Sequence, residues 1–340
     1  MRNARKWAIE PYMGYGTGER LVLQGRVLKY VVEIESHPDD TRWRNLVNMW
    51  KRFATRDVPN ARVRARHGAS EALAVTDHEG YFSIDMPAGA PLAGSVWHEV
   101  ALDLPDAPVV PGVSDATAQI VVPPPQARYG VISDIDDTVV TTNVGSTLSM
   151  LATVLLSNSH ARTPFAGIAA LYRALHDGAS GGQANPIFYV SNGPWNLYGL
   201  LVEFYKLNRI PLGPIFLRDF GPRMMLGARR QPSRKLANIE RILAAYPQLP
   251  FVLIGDSAER DPEIYADVVK RFPDRVLAIY IRSIDTRPER LSAIAALTEA
   301  IRASRAQFVL APDSEFAAVH AAGEGLIDSS ALAEIRQEKS

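Results

Sequence analysis

The sequence lacks cysteine altogether, so the chain forms neither disulfides nor thiolate metal sites. It also lacks a net charge, because 37 basic side chains are balanced by 37 acidic ones. A neutral chain has no overall electrostatic field that would draw it to nucleic acid or to an anionic membrane. We therefore expect no nucleic-acid partner, and any attraction to an anion must be local.

Long hydrophobic runs are missing as well. No stretch approaches the roughly 20 apolar residues that a membrane-spanning helix needs. The opening segment, MRNARKWAIEPYMGYG, has no apolar core long enough for a signal peptide. We therefore expect a cytoplasmic protein without a transmembrane segment. With 340 residues, 47% of them hydrophobic and 22% charged, the chain is long enough for two globular domains.

Residues 1–19 are interpreted as a flexible lead-in. The three glycines Gly14, Gly16 and Gly18 resemble a dinucleotide-binding loop in spacing, but such a loop requires a strand before it and a helix after it. No such pattern surrounds these glycines, so no cofactor loop is predicted here.

Residues 20–125 are typical of a small β domain. Short stretches alternate apolar with polar residues, as in ARVRAR at 61–66 and YFSIDM at 81–86, and turn residues separate them. This pattern predicts a β-sandwich. One interruption, at residues 46–53, spaces Leu46, Met49 and Trp50 as an amphipathic helix does. We expect this helix to be inserted into the sandwich.

Residues 126–335 show a different pattern, after a boundary of three prolines at 123–125. Short apolar runs alternate with segments of helical spacing, and the charged tail from Glu334 is expected to be disordered. Such alternation predicts an α/β domain with a doubly wound, parallel, Rossmann-like sheet. The predicted strands are 131–132, 187–191, 214–217, 251–255 and 276–281.

The first of these strands leads into YGVISDIDDTVV at 129–140. Asp134 falls at its carboxyl end, where ligands bind in open α/β sheets. Because side chains repeat every second residue in an extended chain, Asp134 and Asp136 point the same way. Two such carboxylates repel each other and favour a cation between them or a shared proton. Oxygen ligands suit Mg²⁺, although a lone pair of aspartates is also common as an acidic turn.

Polar residues follow later strands of the same domain. Ser191 and Asn192 follow the second strand, where a hydroxyl and backbone amides suit phosphate oxygens. Lys235 opens the helix before the fourth strand, and Asp256 and Asp261 follow that strand. Taken singly, each has an ordinary interpretation as a turn, a solvated lysine or a helix cap.

In this order, DxDxT, a strand-end serine, a lysine and GDSxxxD resemble the four motifs of the haloacid dehalogenase superfamily of aspartate-nucleophile phosphatases. The resemblance implies that Asp134 is the nucleophile, that Asp136 is the general acid and base, and that Lys235 completes the catalytic set. It further implies phosphate binding by Thr138, Ser191 and Asn192. Mg²⁺ would be held by Asp134, the backbone carbonyl of Asp136, Asp256 and Asp261.

Within that superfamily the closer resemblance is to the actin-patch type of phosphatidate phosphatase and its bacterial relatives. It is carried by the segments SDIDDTVVTTNVG, YVSNGPWNLY, PLGPIFLRDFG and IGDSAERDPEIY. It implies a hydrolase of lipid metabolism that converts phosphatidate to diacylglycerol and phosphate through an aspartyl-phosphate. Two alternatives stay open: a phosphatase of a soluble phosphomonoester, and a catalytically vestigial scaffold that binds lipid or protein.

Two stretches bear on the lipid substrate. A small helical cap is expected at about 141–180, and its apolar segment 148–155 suits either acyl chains and a bilayer or the core of the cap itself. Between strands three and four, arginines mix with apolar residues, which suits either an anionic lipid interface or an ordinary loop with solvated arginines. Arg218 follows a strand end and suits either a phosphate or a neighbouring acid. Peripheral contact with a membrane stays open, and the sequence does not indicate an oligomeric state.

Overall fold

The computed structural model describes residues 7–29, 57–92, 94–107, 114–135, 167–218 and 234–339. The chain divides into two compact units, residues 1–123 and 124–340. The helix predicted at 46–53 and the part of the predicted cap before residue 167 lie outside the described residues.

In the described residues of the first unit, the regular elements are strands. They are β1 (Trp7–Pro11), β2 (Gly14–Gly16), β3 (Arg20–Lys29), β4 (Arg62–His67), β5 (Ser70–Val75), β6 (Tyr81–Pro87), β7 (Trp97–Asp103) and β8 (Asp115–Val121). They form an eight-stranded sheet in the order β1-β3-β2-β8-β7-β4-β5, with β6 paired to β3. Only β2 and β8 run parallel among these neighbours. The β content expected from the alternating pattern is present, and the sandwich arrangement stays a prediction.

Alternation along the strands explains the core of this unit. In β6 the side chains of Phe82, Ile84 and Met86 are buried and the residues between them are exposed. Leu21 and Leu23 of the neighbouring β3 are buried in the same cluster. Because side chains of a strand point alternately to its two faces, one face of each strand supplies the core.

The expected flexible lead-in is wrong for residues 7–16. They form β1 and β2, and both strands pair with β3. A Cβ on Gly14 would lie 2.3 Å from the carbonyl oxygen of Val22, and one on Gly16 would lie 2.7 Å from that of Arg20. These glycines therefore allow the strands to approach closely, which a glycine-rich composition alone does not reveal.

The second unit is an α/β domain, as predicted. Its strands are β9 (Gly130–Asp134), β10 (Ile187–Pro194), β11 (Ile215–Arg218), β12 (Phe251–Asp256), β13 (Val276–Arg282) and β14 (Gln307–Ala311). They form one six-stranded sheet in the order β11-β10-β9-β12-β13-β14, and every neighbouring pair is parallel.

Helices connect these strands. The described α-helices are α1 (Ile168–Asp177), α2 (Tyr198–Leu207), α3 (Arg234–Ala245), α4 (Asp261–Arg271), α5 (Pro288–Ala300), α6 (Ser314–Gly323) and α7 (Ala331–Lys339). In the described part of the chain, none of them has the length and hydropathy to cross a bilayer. The tail from Glu334 is not disordered as expected, because it belongs to α7 and pairs with α1 through Arg173 and Glu334 at 2.8 Å.

The strand order determines where a ligand can bind. In chain order, β10 and β11 lie on one side of β9 within the sheet, and the next strand, β12, lies on the other side of β9. The connections therefore diverge next to β9, and the carboxyl ends of β10, β9 and β12 meet at this point. Such a divergence leaves a crevice at the carboxyl edge of a parallel sheet.

Tyr129 offers a test of how the α/β unit is held together. Its hydroxyl lies 3.0 Å from the carbonyl oxygen of Leu175 and 2.7 Å from that of Leu326, both buried. Tyr129→Phe removes this donor, so we expect the free energy of unfolding in urea to fall by about 1–3 kcal/mol. The reverse change at a half-exposed position, Phe316→Tyr, is the control and should have little effect. Equal stability of Tyr129→Phe and the wild type would contradict the prediction.

Glu10 of β1 predicts a pH dependence in the first unit. Burial raises the pKa of its carboxyl from 4.5 to about 7, although the charge of Arg26 and a hydrogen bond with Tyr12 oppose the shift. The folded state therefore keeps a proton that the unfolded state releases. The stabilisation is complete below pH 4.5 and is lost as the pH rises through about 7.

Glu10→Gln cannot ionise, so this loss should be absent from the variant. Between pH 5 and pH 8 we expect the variant to gain stability relative to the wild type. The gain should be on the order of 1–3 kcal/mol, because one pKa unit corresponds to about 1.4 kcal/mol and the side chain is only partly shielded from water. Urea unfolding at both pH values measures it, and a difference that does not change with pH would contradict the assignment.

Candidate active site

Asp134 is the last residue of β9, and its side chain is fully buried. The strand GVISD is buried throughout because β10 and β12 flank it in the sheet. The Nζ atom of Lys235 lies 2.7 Å from Oδ1 of Asp134. A carboxylate is thus held at the sheet edge in direct contact with an ammonium group.

Asp256 ends the neighbouring strand β12 and is also fully buried. Its Oδ1 accepts hydrogen bonds from the backbone N–H groups of Ala258 at 2.7 Å and Glu259 at 2.9 Å. Its Oδ2 is buried and has no hydrogen-bond partner among the residues that the structure describes. Burial, with repulsion from Asp261 and Glu259, raises the pKa of Asp256 to about 7, although the two N–H groups oppose this.

Asp261 opens α4 and completes the acidic group. Its Oδ2 accepts the backbone N–H of Asp256 at 3.1 Å, and its Oδ1 binds the ammonium of Lys235. The side chain needs the space above Gly255, since a Cβ there would lie 2.3 Å from Oδ2 of Asp261. A glycine before Asp256 therefore allows the two aspartates to approach.

Lys235, the second residue of α3, is buried rather than solvated. It contacts Asp134 and Asp261 and lies 3.5 Å from Glu259. Burial by itself lowers the pKa of a lysine, but the charges of Asp134 and Asp261 outweigh it and hold the pKa well above its ordinary value. Lys235 therefore remains a cation inside the site.

The acidic residues have the geometry of a cation site. Asp134, Asp256 and Asp261 each offer a carboxylate oxygen, and these oxygens all lie within 4.8 Å of one another. The single ammonium of Lys235 cannot neutralise three carboxylates. The Oδ2 atom of Asp256, which has no partner in the described part of the chain, adds a further ligand atom. A hard divalent cation with a preference for oxygen fits this set.

The predicted phosphate-binding residues are brought to the same edge in part. Val190 of β10 pairs with Asp134, so Ser191 lies next to the end of β9. Ser191 is buried and its Oγ accepts the N–H of Gly193 at 2.9 Å, whereas Asn192 is exposed. For Arg218 the structure describes the backbone, at the end of β11. Asp136 and Thr138 lie outside the described residues.

Sequence reasoning missed Glu259 and Arg290. Glu259 approaches Lys235 at 3.5 Å, and Arg290 of α5 donates hydrogen bonds to the loop between Asp256 and Asp261. A glutamate in a turn and an arginine in a helix are common on protein surfaces. Neither carries a sequence signal of its own, and only the proximity of Glu259 to the GDS motif could have suggested it.

The space above Gly255 gives a test of this geometry. Gly255→Ala should push Asp261 away from Asp256 and Lys235, so we expect Mn²⁺ to bind at least about 10-fold more weakly in calorimetric titration. The control is Gly323→Ala, because a Cβ at that position has no atom within 4 Å. Unchanged Mn²⁺ affinity in a folded Gly255→Ala variant would show that the site does not depend on this contact.

Two relatives match less than half of the chain. Phosphatidate phosphatase APP1 of Saccharomyces cerevisiae is 38% identical over 155 residues, and an uncharacterised protein of Schizosaccharomyces pombe is 31% identical over 156 residues. Each match covers 45% of this chain and 25% of the relative. The chain thus corresponds to a minor part of these relatives.

Solved structures add no functional information. A carbohydrate acetylesterase from Xanthomonas citri has a TM-score of 0.30 at 10% identity and covers 87% of this chain and 66% of its own. A PilB minor pilin variant from Streptococcus sanguinis has a TM-score of 0.30 at 9% identity and covers 95% and 88%. Similarity at this level supports no conclusion.

The family comparison falls on the segment that contains the site. Residues 129–283 match the model of the catalytic domain of phosphatidate phosphatase APP1. This segment includes Asp134, Ser191, Lys235, Asp256 and Asp261. Over residues 129–283 the chain is thus similar to the actin-patch type phosphatidate phosphatase family, the resemblance that four segments of the sequence carry.

Proposed function

We propose that the second unit is a haloacid dehalogenase-type, Mg²⁺-dependent phosphatase that hydrolyses phosphatidate to diacylglycerol and phosphate. The observation that carries the proposal is the buried cluster at the carboxyl edge of the sheet, in which Lys235 contacts Asp134 and Asp261 and Asp256 lies beside them. The substrate class follows from the family match to residues 129–283.

Asp134 acts as the nucleophile. One of its carboxylate oxygens attacks the phosphorus, the bond from phosphorus to the ester oxygen breaks, and the diacylglycerol oxygen leaves. Lys235 keeps the carboxylate ionised and in place, because an ammonium in contact with it favours the charged form. The product of this first step is a phosphorylated Asp134, which divides one difficult hydrolysis into two easier reactions.

Asp136 supplies the protons in this scheme. As a general acid it protonates the leaving oxygen, and as a general base it then removes a proton from the water that attacks phosphorus. The bond from phosphorus to Asp134 breaks, phosphate is released and the carboxylate is restored. Proton transfer of this kind contributes about 10²–10⁴ in rate.

Asp134, Asp256 and Asp261, with the backbone carbonyl of Asp136, are the residues that would hold Mg²⁺. When bound, Mg²⁺ supplies the positive charge that offsets repulsion between an anionic carboxylate and an anionic phosphate. Asp256 would present its Oδ2, which has no partner among the described residues, and Asp261 is oriented by the N–H of Asp256 and by Lys235. The carboxylates of Asp256 and Asp261 are therefore held in place without a bound cation.

The phosphoryl group would be held at the ends of β9, β10 and β11. Ser191 is buried beside Asp134 and offers its hydroxyl, and Asn192 is exposed at the same edge. Thr138 and Arg218 complete the proposed phosphate contacts. The protein would act in the cytoplasm and reach phosphatidate by peripheral contact with a membrane surface.

The test compares lipid and soluble substrates. Phosphate release from phosphatidate in mixed micelles and from a soluble phosphomonoester is measured with and without Mg²⁺. We expect a preference for the lipid, a dependence on Mg²⁺ and a fall of at least about 10³-fold in kcat for Asp134→Asn, which loses its nucleophile. Asp177→Asn, an exposed aspartate at the end of α1, is the matched control.

Each result bears on a different part of the proposal. Equal or faster hydrolysis of the soluble ester would keep the chemistry and refute the lipid substrate. Full activity of Asp134→Asn would refute the nucleophile. An absence of release from either substrate by the wild type would favour a binding scaffold with a vestigial site.

A further inference from the structure

Arg290 lies in the first turn of α5, beyond the family-matched residues 129–283. Its Nε donates to the carbonyl oxygen of Ser257 at 2.7 Å, and its Nη2 donates to that of Glu259 at 2.6 Å. The same guanidinium pairs with the carboxylate of Glu263, with Nη2 at 3.2 Å from Oε2. One side chain thus binds two backbone carbonyls and one carboxylate.

Both carbonyls belong to the loop that carries the acidic ligands. We refer to residues 256–261, from the end of β12 to the start of α4, as the acidic loop. The carbonyl of Ser257 belongs to the same peptide group as the N–H of Ala258. That N–H donates to Oδ1 of Asp256 at 2.7 Å. Because a trans peptide group is planar, its C=O and N–H point in opposite directions. Arg290 therefore fixes the direction of the Ala258 N–H, and this N–H in turn orients the carboxylate of Asp256.

The acidic loop is anchored at a second point close by. The Oγ atom of Ser257 accepts the backbone N–H groups of Ile284 and Asp285, both at 2.8 Å. The N–H of Ser257 donates to the carbonyl of Arg282 at 2.9 Å. These contacts hold the start of the loop against the end of β13, whereas Arg290 holds its middle. Without Arg290, the carbonyl oxygen of Ser257 would lose the hydrogen bond that the Arg290 Nε donates to it.

Glu263 binds the guanidinium of Arg290 and thereby fixes its position relative to α4. It lies in the first turn of α4, two residues after Asp261. The pair is largely shielded from water, with Arg290 15% and Glu263 33% exposed. Arg290 therefore joins the middle of the acidic loop to the helix that begins with Asp261, and it fixes both acidic ligands in one arrangement.

We propose that Arg290 is a positioning residue of the divalent-cation site, which it preorganises by holding the acidic loop. This inference rests on the proposed function, since it takes Asp256 and Asp261 as cation ligands. Arginine suits the role because its planar fork presents several N–H donors in fixed directions. Residues that orient metal ligands typically change metal affinity by about 10–100-fold when they are replaced.

The experiment titrates the full chain with Mn²⁺ by calorimetry. The variants are Arg290→Met and, as a matched control, Arg302→Met, whose guanidinium is 79% exposed. We expect Arg290→Met to bind Mn²⁺ about 10–100-fold more weakly and Arg302→Met to bind like the wild type. Thermal unfolding without metal confirms that each variant is folded at the temperature of the titration.

Two further measurements separate positioning from general stability. Hydrogen exchange of the metal-free protein should be faster in a peptide that covers the acidic loop in Arg290→Met and unchanged in the strands β9 and β10. In activity assays, the Mg²⁺ concentration for half-maximal rate should rise, while kcat at saturating Mg²⁺ stays close to that of the wild type. If Arg290 contributed only to stability, its replacement would not speed exchange in this loop alone, and it would not raise the Mg²⁺ requirement.

Each result decides the matter. Equal Mn²⁺ affinity of the wild type and a folded Arg290→Met variant would overturn this inference and leave the proposed function intact. A wild type that binds no Mn²⁺ would refute the cation site, and the inference with it. If Arg290→Met does not fold, Glu263→Gln replaces it. This variant should also bind more weakly, because it loses the charge that holds the guanidinium, and an unchanged affinity would overturn the inference.

Discussion

The contact of the Lys235 ammonium with two carboxylates is the interaction on which the second unit depends. Asp134 comes from β9, Lys235 from α3 and Asp261 from α4, so one buried cation joins three elements that are distant in the sequence. Buried carboxylates without a partner would oppose folding, because each loses its hydration. Removal of the lysine ammonium from such a cluster leaves uncompensated buried charge, which is strongly destabilising. The same group that compensates this buried charge thus contacts Asp134, the proposed nucleophile.

Sheet topology explains why this cluster can form at all. Consecutive parallel strands end at the same edge, and the chain diverges on either side of β9, so Asp134 and Asp256 end neighbouring strands. Backbone contacts then set the distances: Gly255 leaves room for Asp261, and N–H groups of the acidic loop orient Asp256. The chemistry of the site is therefore determined by small residues and peptide groups as much as by the charged side chains.

The sequence predicts the parts of this arrangement that follow from local pattern. Asp134 and Asp256 end short apolar runs, and such runs become buried parallel strands, so both positions could be inferred. The burial of Lys235 could not, because its contacts come from β9 and α4. Arg290 gave no signal, since it acts mainly on backbone carbonyls, which every residue has. In the first unit, β2 was missed because Gly14 marks close strand approach as well as flexibility, and β1 was missed with it as part of the same segment.

The charges of the site explain why binding of a phosphate there would require a bound cation. Among the residues that the structure describes, the ammonium of Lys235 pairs with the carboxylates of Asp134, Asp261 and Glu259, and a fourth carboxylate, that of Asp256, lies beside Asp134 and Asp261. An anionic phosphate that entered this cluster alone would meet more negative than positive charge, and the repulsion would be strong because the surroundings exclude water. A divalent cation reverses that balance at the carboxylates that bind it. In the proposed function, the position of the acidic loop, and thus of Arg290, would therefore affect substrate binding as well as metal binding.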